Sequence, residues 1–175
     1  KTMSKITRSQ LRHSTRQHLN KLWRGRTKPI VPADYIAGLT DGEGCFYANI
    51  SKSNRYLARA RVGLSFYIKL QAQDKALLEK VRQTIGCGAV YFQKENRANH
   101  TQCYRYTVGS HRDIIGKIIP FFQKYRLQSD SKQKSFNYFC KIVDLVRQRK
   151  HLTKNGVKQI SVLKSLMNKK TIGLA

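Results

Sequence analysis

From Arg59 to Gln71 the chain alternates strictly between apolar and polar positions. Ala60, Val62, Leu64, Phe66, Ile68 and Leu70 share one face; Arg59, Arg61, Ser65, Tyr67, Lys69 and Gln71 share the other. A period of two over this length predicts a half-buried strand with a wet, basic second face. Cys45 to Lys52 repeats the pattern, with Phe46, Ala48 and Ile50 opposite Tyr47, Asn49 and Ser51. Two shorter strands are expected at Ala89 to Lys94 and Gln102 to Val108, joined by a polar loop from Glu95 to Thr101.

Elsewhere the period is helical. A first helix should run from Ala33 to Asp41, with Pro32 at its start, Asp34 in its first turn, and Gly42 or Gly44 to end it. Asp74 to Ile85 carries an apolar stripe of Leu77, Leu78, Val81 and Ile85, stopped by Gly86 and Gly88. Arg112 to Tyr125 reads as helix with Pro120 near its middle or at a break. Lys132 to Lys150 follows, with Phe136, Phe139, Cys140, Val143 and Val146 inward, and Gln159 to Asn168 after a turn at Gly156. The order is α-β-β-α-β-β-α with extra helix at the end. This predicts an α+β domain in which helices cover one face of a four-stranded antiparallel sheet and leave the other free. No internal repeat is present, so the unit occurs once.

Length and charge sharpen that picture. The 175 residues suit one domain, and 40% hydrophobic content is enough for a core. Thirty-five Lys and Arg against nine Asp and Glu give a formal charge of +26. Such self-repulsion points to a polyanionic partner. No run approaches the ~20 apolar residues of a spanning helix, so no membrane partner is expected and nucleic acid is the leading candidate. Residues 1–32 hold nine basic residues and no acid; they are expected to form a basic N-terminal arm along phosphates, with a mitochondrial transit segment as the alternative. The domain then spans 33–168 and a short tail 169–175. Cys45, Cys87, Cys103 and Cys140 lack the spacing of a zinc site or a disulfide framework, and read as incidental thiols of a reducing compartment.

The free sheet face would carry Tyr47, Asn49, Ser51, Arg59, Arg61, Ser65, Tyr67, Lys69, Tyr91, Gln93, Arg105 and Thr107. Arg and Lys bond guanine edges, Asn and Gln bond adenine edges, and all of them reach phosphate. Acids are almost absent from that face, which favours contact with nucleic acid over a merely solvated surface.

At Ile36 to Gly44 the chain reads Ile-Ala-Gly-Leu-Thr-Asp-Gly-Glu-Gly. Gly38 and Gly42 lie four apart on one helix face, where the lack of a Cβ lets another backbone come close. A second copy docked there would set two Glu43 carboxylates side by side, and these repel unless a divalent cation lies between them. The segment resembles the motif that names the LAGLIDADG homing endonucleases: the apolar start, Ala37, Gly38, Leu39, Asp41, Glu43 and Gly44 all match. The resemblance extends through Ser65 to Ile85, Ile118 to Tyr125, Ser131-Lys132 into Phe139, and His151 to Gly156, covering about residues 33 to 168.

The resemblance implies the αββαββα fold and a homodimer whose motif helices, through Ile36, Ala37, Gly38, Thr40 and Asp41, pack at a twofold axis over the minor groove. It implies that Glu43, beside the Gly42 backbone, holds Mg²⁺ at the scissile phosphate, while Asp41 mostly supports the turn. Lys132, at the start of the helix after the fourth strand, matches a basic residue close to the cleavage centre. A polar residue ending the second strand positions the attacking water; ungapped alignment puts Leu70 there, and Gln71 is the residue able to do that work. The implied activity is metal-dependent cleavage of double-stranded DNA at a long site, from an intron-encoded gene of a mitochondrion, a chloroplast or a bacterial cytoplasm. An intron maturase binding its own intron RNA is the alternative. A basic structural protein of a ribonucleoprotein would explain the charge but not the acidic turn.

Overall fold

A computed structural model of the chain describes residues 30–96 and 101–168. Most of the expected basic arm and the whole of the tail lie outside those residues. Among the described residues no helix is long and apolar enough to cross a membrane.

Helix α1 (Ala33–Glu43) starts at Pro32, whose φ of −54° is already helical in value and whose missing N–H costs nothing there. It runs two residues past the expected end and passes into strand β1 (Gly44–Lys52) without a loop. Gly44 makes the joint possible. A Cβ on it would come within 2.5 Å of the Thr40 side chain and 2.7 Å of the Thr40 carbonyl. Thr40 is itself fully buried, and its hydroxyl donates to the Ile36 carbonyl at 2.8 Å.

Strand β1 pairs with β2 (Ala60–Gln71), which pairs with β4 (Cys103–Val108), which pairs with β3 (Ala89–Gln93); every pairing is antiparallel and the order is β1-β2-β4-β3. Arg59 is excluded from β2. It sits in the β1–β2 turn at φ 49°, closing a hydrogen bond from its N–H to the Tyr56 carbonyl. Alternation extended across Arg59 because its polarity fits the pattern, but its left-handed backbone cannot continue a ladder.

Helix α2 (Lys75–Ile85) buries Leu78, Val81 and Ile85 on the sheet and ends at Gly86, φ 76°. The next helix, α3, comes in three pieces: His111–Asp113, a π-helical stretch Ile114–Ile118, and Ile119–Lys124. Pro120 explains the wide turn. It offers no N–H to the carbonyl four residues back, and its ring would clash with that carbonyl in a regular helix. Helix α4 (Asp130–Arg147) begins earlier than its apolar stripe suggests, because Ser129 caps it by accepting from the Lys132 N–H. Its buried side is Phe136, Phe139, Ile142, Val143 and Val146, with Cys140 only half-buried.

Helix α5 (Lys154–Asn168) also begins earlier than expected. Gly156 is not a turn that precedes it but part of its first turn, and its N–H donates to Thr153 Oγ1 at 3.1 Å. A Cβ there would overlap the Lys150 carbonyl at 1.9 Å, so the glycine serves close approach.

The core lies between the sheet's inner face and the helices. Its centre is Phe46, whose ring is 4.9 to 5.5 Å from those of Phe66, Phe122, Phe136 and Phe139. Val31, within the stretch assigned to the arm, joins this core, and its N–H donates to Thr84 Oγ1 at 3.1 Å.

His151 supplies a pH-dependent element. Burial first, then the neighbouring His111 and the cationic Arg149, push its pKa below the ordinary imidazole value, against a backbone hydrogen bond at Val146 that raises it. Folding therefore favours neutral His151. Its contribution is complete above an unfolded-state pKa of about 6.5 and is lost as pH falls through the lower folded value. Thermal unfolding of H151Q, followed from pH 8 to pH 5, is expected to lose less stability on acidification than the parent; equal losses would count against it.

Candidate active site and nucleic-acid face

The geometry follows from where α1 stops. Glu43 is its last residue, exposed at the end of the sheet where β1 begins. It makes no hydrogen bond or ion pair among the described residues. Its surroundings are fixed by two ties to the chain around the start of α4. Asp41 Oδ2 accepts from the Gln128 N–H at 2.8 Å, and Lys132 Nζ donates to the Gly44 carbonyl at 2.5 Å. Asp41 is thus bound into the turn, while its second oxygen, Oδ1, is buried without a partner among the described residues. Lys132 is half-buried, with its ammonium against the carbonyl of the residue that follows Glu43.

Gln71 ends β2 at the same end of the sheet, since Gly44 pairs with Ile68 three residues earlier. It stands exposed, its Oε1 accepting from Gln73 Nε2 at 3.3 Å, whereas Leu70 turns to the apolar side and packs against the core. Of these two neighbours, Gln71 is the one on the open face. Glu43, Lys132 and Gln71, far apart in sequence, thus all lie toward one end of the sheet.

The expected helix interface divides. Ile36, Ala37 and Thr40 are buried in the chain's own core, with 0%, 3% and 0% exposure. Gly38 and Gly42 face the other way, where a Cβ on either would find no atom within 4 Å. Tyr35 lies half-exposed on the same helix.

Register brings the expected nucleic-acid residues together in rows. Across β1, β2, β4 and β3 run Cys45, Tyr67, Thr107 and Ala89; the next row is Lys69, Arg105 and Tyr91, and the last is Gln71, Cys103 and Gln93. Toward the other end, Tyr47 faces Ser65, Asn49 faces Gly63 and Ser51 faces Arg61. Arg59 alone of the expected set stands in a loop rather than on the sheet.

Several of these side chains are already held. The Arg105 guanidinium lies 4.3 Å from the Tyr67 ring centroid, with its Nε buried and unbonded among the described residues. Lys164, from α5, reaches within 5.8 Å of the Tyr47 ring. The Cys45 thiol beside it, and then burial, push the Tyr67 hydroxyl up to about 12, against the opposing charge of Arg105. That hydroxyl is a neutral donor at physiological pH.

Sequence reading missed Glu95. Its carboxylate forms an ion pair with Lys69 Nζ and accepts from Gln93 Nε2 at 2.9 Å. Nothing in its local sequence distinguishes it from a solvated loop acid. All four cysteines are free and half-buried, and burial pushes Cys140 up to about 11 and raises Cys87.

Among the described residues no cluster of three or more His, Cys, Asp or Glu could hold a metal by itself. Glu43 and the Gly42 carbonyl nonetheless offer hard oxygen donors of the kind Mg²⁺ takes. An exposed, unpaired carboxylate on a chain of this charge fits a cation shared with other ligands.

A helix that ends in such a carboxylate, beside the basic open face of a four-stranded antiparallel sheet, is an α+β arrangement in keeping with the motif at Ile36 to Gly44. The chain belongs to the LAGLIDADG endonuclease family, whose family model, described as LAGLIDADG endonuclease, matches residues 36–143. It is 29% identical over 154 residues to "Probable intron-encoded endonuclease 2" of Neurospora crassa, covering 86% of this chain and 31% of that protein. This chain thus spans about a third of that curated relative. Among solved structures it resembles the meganuclease I-SmaMI bound to uncleaveable DNA, with TM-score 0.71 and 33% identity, over 79% of this chain and 45% of that one. I-SmaMI is also known bound to an uncleaved DNA target in the presence of calcium ions. The homing endonuclease I-TnaI is similar with TM-score 0.70 and 29% identity, over 81% of this chain and 90% of that one.

Proposed function

We propose that this chain is a site-specific homing endonuclease subunit that cleaves double-stranded DNA by Mg²⁺-dependent phosphodiester hydrolysis. The observation that carries the reading is the unpaired Glu43 carboxylate at the end of a basic sheet face, beside a turn that Asp41 and Lys132 tie to the start of α4. The DNA bound to I-SmaMI supports DNA as the partner. An intron within an organellar genome is the proposed home of the gene, in line with the relative named as intron-encoded.

Each residue then has a task. The Tyr47 to Thr107 face lies in the major groove and contributes base-edge and phosphate bonds. Glu43 and the Gly42 carbonyl would hold the cation, which would supply Lewis-acid polarisation of a phosphate and activation of water. Lys132 fixes the Gly44 peptide, and its remaining N–H donors face the developing phosphate charge. Gln71 orients the water.

One chain presents one acid, which is half of the proposed site. The bare surface at Gly38 and Gly42 is the place for a second motif helix. We assign that helix to a second copy of this chain, because the Gly38 and Gly42 side of α1 is open to close approach. The test is selection of cleaved sites from a randomised duplex library. A defined site cut in Mg²⁺ and not in EDTA, by a species of dimer mass, is expected. Absence of any preferred site, or cutting undiminished by EDTA, would refute the reading.

A further inference from the structure

Glu95 is an acid on a face otherwise built to meet a polyanion. Its placement is not loose. The Glu95 N–H donates to Gln102 Oε1 at 3.1 Å, and Gln102 Nε2 donates back to the Glu95 carbonyl at 3.2 Å. The Gln102 carbonyl in turn accepts from the Ala72 N–H at 2.8 Å, which ties the segment to the end of β2. Only 15% of the Glu95 side chain is exposed, against 33% for Lys69. The carboxylate bridges β2 and β3 across β4, holding Lys69 from one and Gln93 from the other.

A carboxylate here works against plain phosphate binding. It cancels the Lys69 charge and would repel a phosphate brought close to it. It also has an ordering effect. An ammonium has three donors, and with one committed to Glu95 the others point along fixed directions. The Gln93 amide is oriented as well: its N–H faces Glu95, leaving its oxygen available as an acceptor. Lys69 thus presents donors and Gln93 presents an acceptor, both preset before DNA arrives.

We infer that Glu95 is a specificity-determining residue, which converts Lys69 from a phosphate contact into a reader of a base edge with acceptors, guanine O6 and N7 by preference, with Gln93 set for a neighbouring amino group. Guanine shows two acceptors in the major groove, and adenine and cytosine show amino donors there. This inference rests on the proposed DNA-binding role of the face.

The experiment is site selection from the same randomised library by the full chain and by E95Q, with binding to a random-sequence duplex measured against salt. E95Q keeps the shape and an acceptor but removes the charge. Preference at one or two adjacent base pairs of each half-site is expected to fall from about tenfold to about twofold, with the other positions unchanged. Affinity for random duplex should rise, and the slope of log K on log salt should steepen by about 0.9 per chain, the value of one added phosphate contact. K69M should lose the guanine preference without gaining random-duplex affinity, and adding E95Q to it should change that preference no further. Thermal unfolding of each variant separates these effects from misfolding. If wild type selects a site and E95Q selects the same one with the same salt slope, the inference fails while the functional reading stands. Uniform loss of preference at every position also overturns it. A wild type that selects no site removes both.

Discussion

Replacing Glu43 by Gln is expected to reduce cleavage by roughly 10³-fold or more while leaving target binding within a few-fold. Several kcal/mol of transition-state stabilisation come from a bound divalent cation, and each 1.36 kcal/mol is about tenfold in rate. Gln is isosteric but neutral, so it gives up the anionic ligand. It also has nothing to disturb, because Glu43 is exposed and unbonded among the described residues. The sheet face that contacts DNA is untouched, and losing a negative charge near phosphate should leave binding equal or slightly tighter. Nicking of a plasmid bearing the selected site gives the rate, and gel shift in EDTA gives the affinity. Cleavage within about tenfold of the parent would place the essential ligand elsewhere.

Lys132→Met is expected to slow cleavage by about 10²-fold, a typical cost of removing one donor aimed at developing charge. The substitution keeps the length of the side chain and removes the bond to the Gly44 carbonyl, so the peptide after Glu43 loses its anchor. An ordinary phosphate contact would behave differently: binding and cleavage would fall together, by a modest factor, and the salt slope would drop by about one unit per chain. The position predicts a split instead, with single-turnover rate falling and Kd nearly constant. Equal losses in the two would reduce Lys132 to a backbone contact. The bond from Lys132 Nζ to Gly44 spans 88 residues of sequence.

Much of this chain was legible before its fold was known. The free face could be listed residue by residue from alternation, because a strand's side chains alternate whatever surrounds it. Arg59 broke the rule, since polarity does not reveal a left-handed turn. The helix boundaries erred where capping outweighed apolar periodicity: Ser129 starts α4 and Thr153 starts α5 ahead of their apolar stripes. Gly156 reads as a turn in the sequence because glycine marks turns and close contacts alike. Ile36, Ala37 and Thr40 share a motif with Gly38, yet the helix has two sides, and only packing tells them apart.

Local pattern alone thus determined the α+β class and the sheet's basic face, while Glu43 stood out through the resemblance of its segment to a family motif. The class and the face depend on spacing within a dozen residues and on charge, and both are present in the text of the chain. Tertiary structure decided the strand order β1-β2-β4-β3, the bond from Lys132 to the Gly44 carbonyl beside Glu43, and the grip of Glu95 on Lys69 and Gln93. Each of these joins residues remote in sequence or placed by a loop. Such a pairing is selected by the free energy of the whole packed chain, so no local period encodes it.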